Sequence, residues 1–250
     1  MSAVAAFWPQ VGAALGELAT DATQFFHNAL AFDHTSFPVD PTLFYAFVGA
    51  AILIEITPGP NMGYLVTLTI TRGRAAGFAT VVGVTLGLAV YMVAAAFGIT
   101  EIFLRYPTLY QALRVAGVLF MLWLAFDAWR DAEGAEDGEK DERSYVALAL
   151  RGFLANVLNP KSAVFYIALL PSFIQTEHAG PQIQALLLGA THIAISIAAH
   201  LSLVLLAGKL GAALTTKAGE RRLVVIKRVL AVLLALVALW LAYETRAKAG

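Results

Sequence analysis

Apolar residues gather along this chain into six long runs separated by short polar turns. Each run is long enough to cross a bilayer as a helix, which takes roughly 17–25 residues. The predicted helices lie near Leu43–Thr71, Ala75–Gly98, Leu109–Trp129, Val146–Ile174, Ile183–Gly208 and Leu223–Tyr243. The first and fourth are longer than one crossing needs, and each carries helix-breaking residues near its middle. In the first these are Thr57-Pro58-Gly59-Pro60-Asn61; in the fourth, Asn156-Val157-Leu158-Asn159-Pro160-Lys161. The predicted fold class is all-α, an integral membrane bundle of six transmembrane helices. Three spans per half give the halves opposite orientation, so the expected architecture is two inverted three-helix repeats with broken first and fourth helices.

Composition agrees with the pattern. The chain is 59% hydrophobic and 14% charged, with mean hydropathy +0.73, whereas soluble domains carry about 25% charged residues. A formal net charge of zero gives no bulk attraction for nucleic acid. Cysteine is absent, which removes disulfides and thiolate metal sites from consideration. Basic residues set the orientation. Twelve, from Arg72 and Arg74 to Lys227 and Arg228, fall on one set of loops and four on the other, with Lys161 inside a span. The richer side is expected to be cytoplasmic, with both termini outside.

The expected domain organisation has four parts. Residues 1–42 are an outward-facing extension without Lys or Arg, hence without the basic segment of a secretory signal. Its scattered apolar positions, among them Phe7, Trp8, Leu15 and Phe25, fit either an amphipathic surface helix or a loose tail. It ends in a linker where Asp40 caps the first span and Pro41 takes the first helical position. Residues 43–129 form the first repeat, 130–151 a charged cytoplasmic linker holding the acidic run Glu133–Glu139, and 152–250 the second repeat.

The breaks carry the candidate chemistry. Proline lacks an N–H and clashes with the carbonyl four residues back. Pro58 and Pro60 therefore free the carbonyls of Ile54 and Ile56, and Pro160 that of Asn156. Gly59 turns the chain, and the helices restart at Asn61 and, with Asn159 as cap, at Pro160-Lys161. Broken backbone survives in lipid only where it is buried in protein or lines a polar cavity. Two restarts meeting near the midplane offer N–H groups to a carboxylate and free carbonyls to an ammonium or a cation. The expected substrate-binding residues are thus Pro58, Gly59, Pro60, Asn61, Asn156, Asn159, Pro160 and Lys161. The bland alternative is that the prolines only kink the helices.

The segment Thr57-Pro58-Gly59-Pro60-Asn61, followed by Arg72-Gly73-Arg74-Ala75-Ala76-Gly77 and Gly83-Val84-Thr85-Leu86-Gly87, resembles the first half of the LysE-type amino-acid exporters. Gly152–Lys161, ending in Leu170-Pro171-Ser172-Phe173, is similar to their second half. The resemblance covers about residues 43–245. It implies export of an amino acid or derivative across the inner membrane, driven by proton antiport, with no cofactor. The partners it implies are that small solute, protons and the bilayer. The extension 1–42 departs from the family pattern.

A charge inside a span defaults to a functional reading. Glu55, three residues before Pro58, is the candidate proton-coupling residue; the alternative is a structural partner for Lys161. Lys161 has three readings: a substrate carboxylate, Glu55, or the cytoplasmic surface. His192 and His200 stand about 80° apart on the fifth span, and each reads first as a hydrogen-bonded core histidine and second as a proton relay. Asp127, near Trp123 and Trp129, reads as interfacial, with an inner-gate role as the lesser alternative. Gly73/Gly77 and Gly83/Gly87 read as helix-packing positions, and small-residue faces are compatible with a homodimer. Two alternatives to the exporter remain at this level, a metal-ion exporter of the same architecture and an intramembrane enzyme using Glu55 and the histidines. The absence of HExxH and GxSxG motifs argues against the enzyme.

Overall fold

A computed structural model describes residues 38–57, 59–133 and 144–214, with scattered positions between 225 and 243. All regular structure among the described residues is helical. Helix α1 (Pro41–Ile56) starts as the sequence predicts: Pro41 is its first residue, and the Leu43 N–H donates to Asp40 Oδ1 at 2.9 Å. That backbone hydrogen bond also holds the Asp40 carboxyl below its ordinary pKa. α1 gives way at Thr57, whose extended backbone suits a residue before proline. Helix α2 (Pro60–Arg72) resumes the span and stops at Gly73. There φ is +87°, a conformation glycine adopts without the penalty of a Cβ, so helix α3 (Arg74–Ala96) follows after a single residue.

A short helix, α4 (Glu101–Arg105), leads into α5 (Pro107–Glu133). Beyond the described residues' gap comes α6 (Tyr145–Val157), capped by Ser144, then α7 (Pro160–Val164). α7 continues as a π turn over Phe165–Leu169 and a 3₁₀ turn over Leu170–Phe173. The last fully described helix is α8 (Pro181–Leu214).

Helices α3, α5 and α8 are each long and apolar enough to cross a membrane. The pairs α1–α2 and α6–α7 with its continuation pass the same test jointly, bent by 52° and 50° at their breaks, which makes up to five spans. The predicted sixth run, Leu223–Tyr243, lies largely outside the described residues, as do the extension up to residue 37 and the acidic run of the linker. At 1.5 Å per residue, α1 and α2 measure about 24 and 20 Å, so the first break divides its bent pair into two arms of similar length.

α3 is the central strut. It runs antiparallel to α8, with Arg74 beside Gly208, Gly77 beside Val204 and Met92 beside Gly189. It runs parallel to α6, with Thr80 and Gly83 at the level of Ala149–Phe153 and Gly87 beside Asn156. At this second seam the backbones nearly touch: a Cβ on Gly83 would run into the Ala149 carbonyl, and one on Gly152 into the Thr80 carbonyl. Of the glycines read from the sequence as packing positions, Gly77, Gly83 and Gly87 thus join the first half of the chain to the second, whereas Gly73 makes the turn and has nothing within 4 Å of a Cβ. α3 leaves Phe78, Val82, Leu86, Val90 and Val93 exposed on its outer face, as a lipid-facing stripe requires.

Two side-chain devices brace the ends. Gln184 is fully buried; its Nε2 donates to the carbonyls of Gln175 and Ala179, and its Oε1 accepts from the Gln175 N–H, closing the loop before α8. At the opposite end Arg151 of α6 pairs with Asp127 of α5 and lies 4.6 Å over the Trp123 ring. Asp127, expected to be interfacial, is therefore an inter-helix partner.

Candidate functional site

The two breaks face each other across one half-open pocket with a cavity of about 20 Å³. Glu55, Gly59 and Asn61 line it from the first break, and Asn156, Asn159 and Lys161 from the second. α8 closes it with His192 and His200, and Ile54, Met62 and Phe165 supply apolar wall. Of the sequence-predicted site residues, Pro58 lies outside the described residues and only the backbone of Pro60 is described. Pro160 is the first residue of α7, behind the pocket wall.

The breaks satisfy their backbone in different ways. At the second, Asn159 Oδ1 accepts from the Lys161 N–H at 3.0 Å, the predicted cap. The Asn156 carbonyl, expected to be free, accepts from the Asn159 N–H at 2.9 Å, because the helix tightens by one turn before it breaks. The carbonyl reached from outside is instead that of Val157, which accepts from the Tyr91 hydroxyl of α3 at 2.7 Å. At the first break Gly59 offers no capping side chain to α2. Lys161 crosses the gap: its Nζ donates to the Thr57 carbonyl at 2.8 Å. Lys161 thus bridges from one break to the backbone of the other, a contact that none of the three readings of the sequence included.

Glu55 is buried and held by histidine. Its Oε1 lies 3.0 Å from His192 Nε2, and its Oε2 lies 4.0 Å from His200 Nδ1. His200 Nδ1 lies 2.9 Å from the Ser196 carbonyl, which can only accept, and 3.0 Å from the Ser196 hydroxyl, which can donate, so the tautomer decides which of the two it bonds. His192 Nδ1 faces the Tyr166 hydroxyl at 3.1 Å. Both histidines are hydrogen-bonded core residues, as first read, and both also line the pocket. Ser196 joins them at four-residue spacing, so His192, Ser196 and His200 form a polar stripe down an apolar helix, a signal that the sequence does carry.

Two polar atoms stand out. Asn61 (6% exposed) and Asn156 (2% exposed) each have a buried Oδ1 without a hydrogen-bond partner among the described residues. A buried unpaired acceptor costs about 1–3 kcal/mol, and both of these belong to residues that line the pocket.

Broken membrane helices around a polar pocket define a class of protein, the transporters that bind a small solute between helix interruptions. Residues 52–245 match the family described as LysE type translocator, and the chain belongs to that family. It is similar to the homoserine/homoserine lactone efflux protein of Salmonella typhimurium, 30% identical over 171 residues, 67% of this chain and 82% of that protein. It is also similar to the leucine efflux protein of Klebsiella pneumoniae, 27% identical over 66% of this chain and 78% of that one. An uncharacterized membrane protein of Vibrio cholerae is 28% identical over 69% and 84%. No solved structure matches the chain. The family sets aside the intramembrane-enzyme alternative: the chain is a membrane translocator.

Proposed function

We propose that the protein exports a small amino acid or amino-acid derivative from the cytoplasm in exchange for protons. The observation that carries this reading is that Asn61 and Asn156, each with a buried Oδ1 that lacks a partner among the described residues, line one pocket between two helix breaks. In this reading they accept from the substrate ammonium, which Glu55 attracts. The carboxylate meets the uncapped start of α2 and the Lys161 ammonium, which leaves the Thr57 carbonyl to receive it. The named substrates of two relatives, homoserine or its lactone and leucine, support a solute of this size and charge.

The six-span arrangement as two inverted repeats (43–129 and 152–250, joined by the linker 130–151) belongs to the same reading. The parallel course of α3 and α6 and the antiparallel course of α3 and α8 support it, since spans two and four of such a protein run the same way and span five the opposite way. So does the surplus of basic residues on one side, which favours that side as cytoplasmic and both termini as outside.

The test is efflux of labelled amino acids, lactones and polyamines from vesicles, with and without an imposed proton gradient. Gradient-dependent export of at least one amino-acid-like solute is expected; export of none, or export only of metal ions, overturns the reading. Within that assay Lys161→Met should raise the KM about tenfold or more, since a hydrogen bond to a charged group contributes about 1.5–3 kcal/mol. A KM unchanged from the parent would take Lys161 out of substrate binding.

A further inference from the structure

The geometry points to Tyr166 as a positioning residue for proton exchange at Glu55, acting through His192. The inference rests on the reading of Glu55 as the coupling carboxylate. In a regular helix Phe165 and Tyr166 would point about 100° apart. The π turn that holds them buries both rings against α8, and such turns occur frequently at functional sites. Phe165 lies on the His192 ring with centroids 3.9 Å apart, while Tyr166 Oη sits 3.1 Å from Nδ1. The Tyr166 ring is itself fixed by stacking on Tyr91, at 5.7 Å and 14°, and the Tyr91 hydroxyl is committed to the Val157 carbonyl of the second break.

His192 thus stands between a carboxylate on Nε2 and a hydroxyl on Nδ1. An ionised Glu55 makes Nε2 the donor, so in the neutral ring Nδ1 accepts from Tyr166. A hydroxyl can reverse that role. When a proton arrives, an N–H bond forms at Nδ1, the Tyr166 O–H rotates away, and its oxygen accepts from the new imidazolium. Departure of the proton reverses both changes and alters no other bond. The remaining groups around the ring hold other posts: His200 on the same helix has its Nδ1 on Ser196, and Lys161 from α7 has its ammonium on the Thr57 carbonyl. Tyr166 therefore lets Glu55 and His192 hold the exchanged proton jointly, where a carboxylate alone would hold it otherwise.

The test compares pH profiles of gradient-driven export, using labelled homoserine or leucine, whichever the parent protein exports. Tyr166→Phe removes a charge-assisted hydrogen bond that is roughly twice as strong as its neutral counterpart. The midpoint should move about one pH unit toward acid, with the low-pH rate kept within a few-fold. A Tyr166→Phe profile superimposed on the parent, with Glu55→Gln inactive, overturns the inference and leaves the coupling reading standing. A Glu55→Gln protein that keeps the parent profile overturns the reading itself. Nitrogen NMR of ¹⁵N-histidine-labelled parent protein in lipid gives a second measure that needs no variant. His192 Nδ1 should gain its proton over the range in which export changes; an Nδ1 that stays bare throughout overturns the inference.

Discussion

Glu55→Gln should reduce proton-driven export to background while the protein still inserts and folds. Glutamine keeps the size of glutamate and an oxygen that can accept from His192 Nε2, so the bond across the pocket survives the exchange. What it loses is the capacity to take up and release a proton. It also loses the negative charge that compensates any charge on His192 and His200, its neighbours at 3.0 and 4.0 Å. Truncation to alanine would be a poorer test, because it leaves buried ring nitrogens unpaired and invites destabilisation of several kcal/mol. The measurement is uptake of labelled substrate into inverted proteoliposomes under an imposed pH gradient, beside substrate exchange with no gradient. Loss of the first with retention of the second is the expected pattern. Full gradient-driven transport by the variant would take Glu55 out of coupling.

The sequence made the frame of this site readable and left much of its wiring hidden, for a physical reason. Proline and glycine act locally, so the breaks at Pro58–Pro60 and Asn159–Pro160 could be placed from residue type, and the cap by Asn159 follows from the same local chemistry. Which groups meet across the pocket depends on helix rotation, which an almost uniformly apolar span records weakly. Lys161 was an open partner for Glu55; the folded chain gives Glu55 to His192 and Lys161 to the Thr57 carbonyl. The pairing of Asp127 with Arg151 could not be read because the two stand 24 positions apart on different helices. The π turn at Phe165–Leu169 carries no residue that marks it in advance, yet it decides that Tyr166 reaches His192. The glycines of α3 showed close packing by spacing alone, but their partner in α6 appeared only in three dimensions.

That seam carries the second large effect. Gly83→Ala should lower the melting temperature by roughly 5–10 °C, corresponding to about 1–3 kcal/mol of overpacking at the point of contact. The added methyl meets the Ala149 carbonyl, a backbone group that has no rotamer to escape into, so α3 and α6 must part. Parting them also moves Asn156, which rests on Gly87 and lines the pocket, so substrate affinity should fall together with stability. Gly49→Ala is the matched control: on the open face of α1 a Cβ meets nothing within 4 Å, and the exchange should leave stability unchanged or slightly raised by helix propensity. Gly152→Ala should behave like Gly83→Ala, because its methyl meets the Thr80 carbonyl at the same crossing. One widening of the seam accommodates both methyls. The double variant should therefore lose less than the sum of the two single losses, as coupled neighbours do. Thermal unfolding in detergent, followed by intrinsic fluorescence, measures all four proteins. Strict additivity would mean that the two glycines are felt at separate contacts, and a Gly83→Ala protein as stable as Gly49→Ala would mean that the halves of the chain do not meet there.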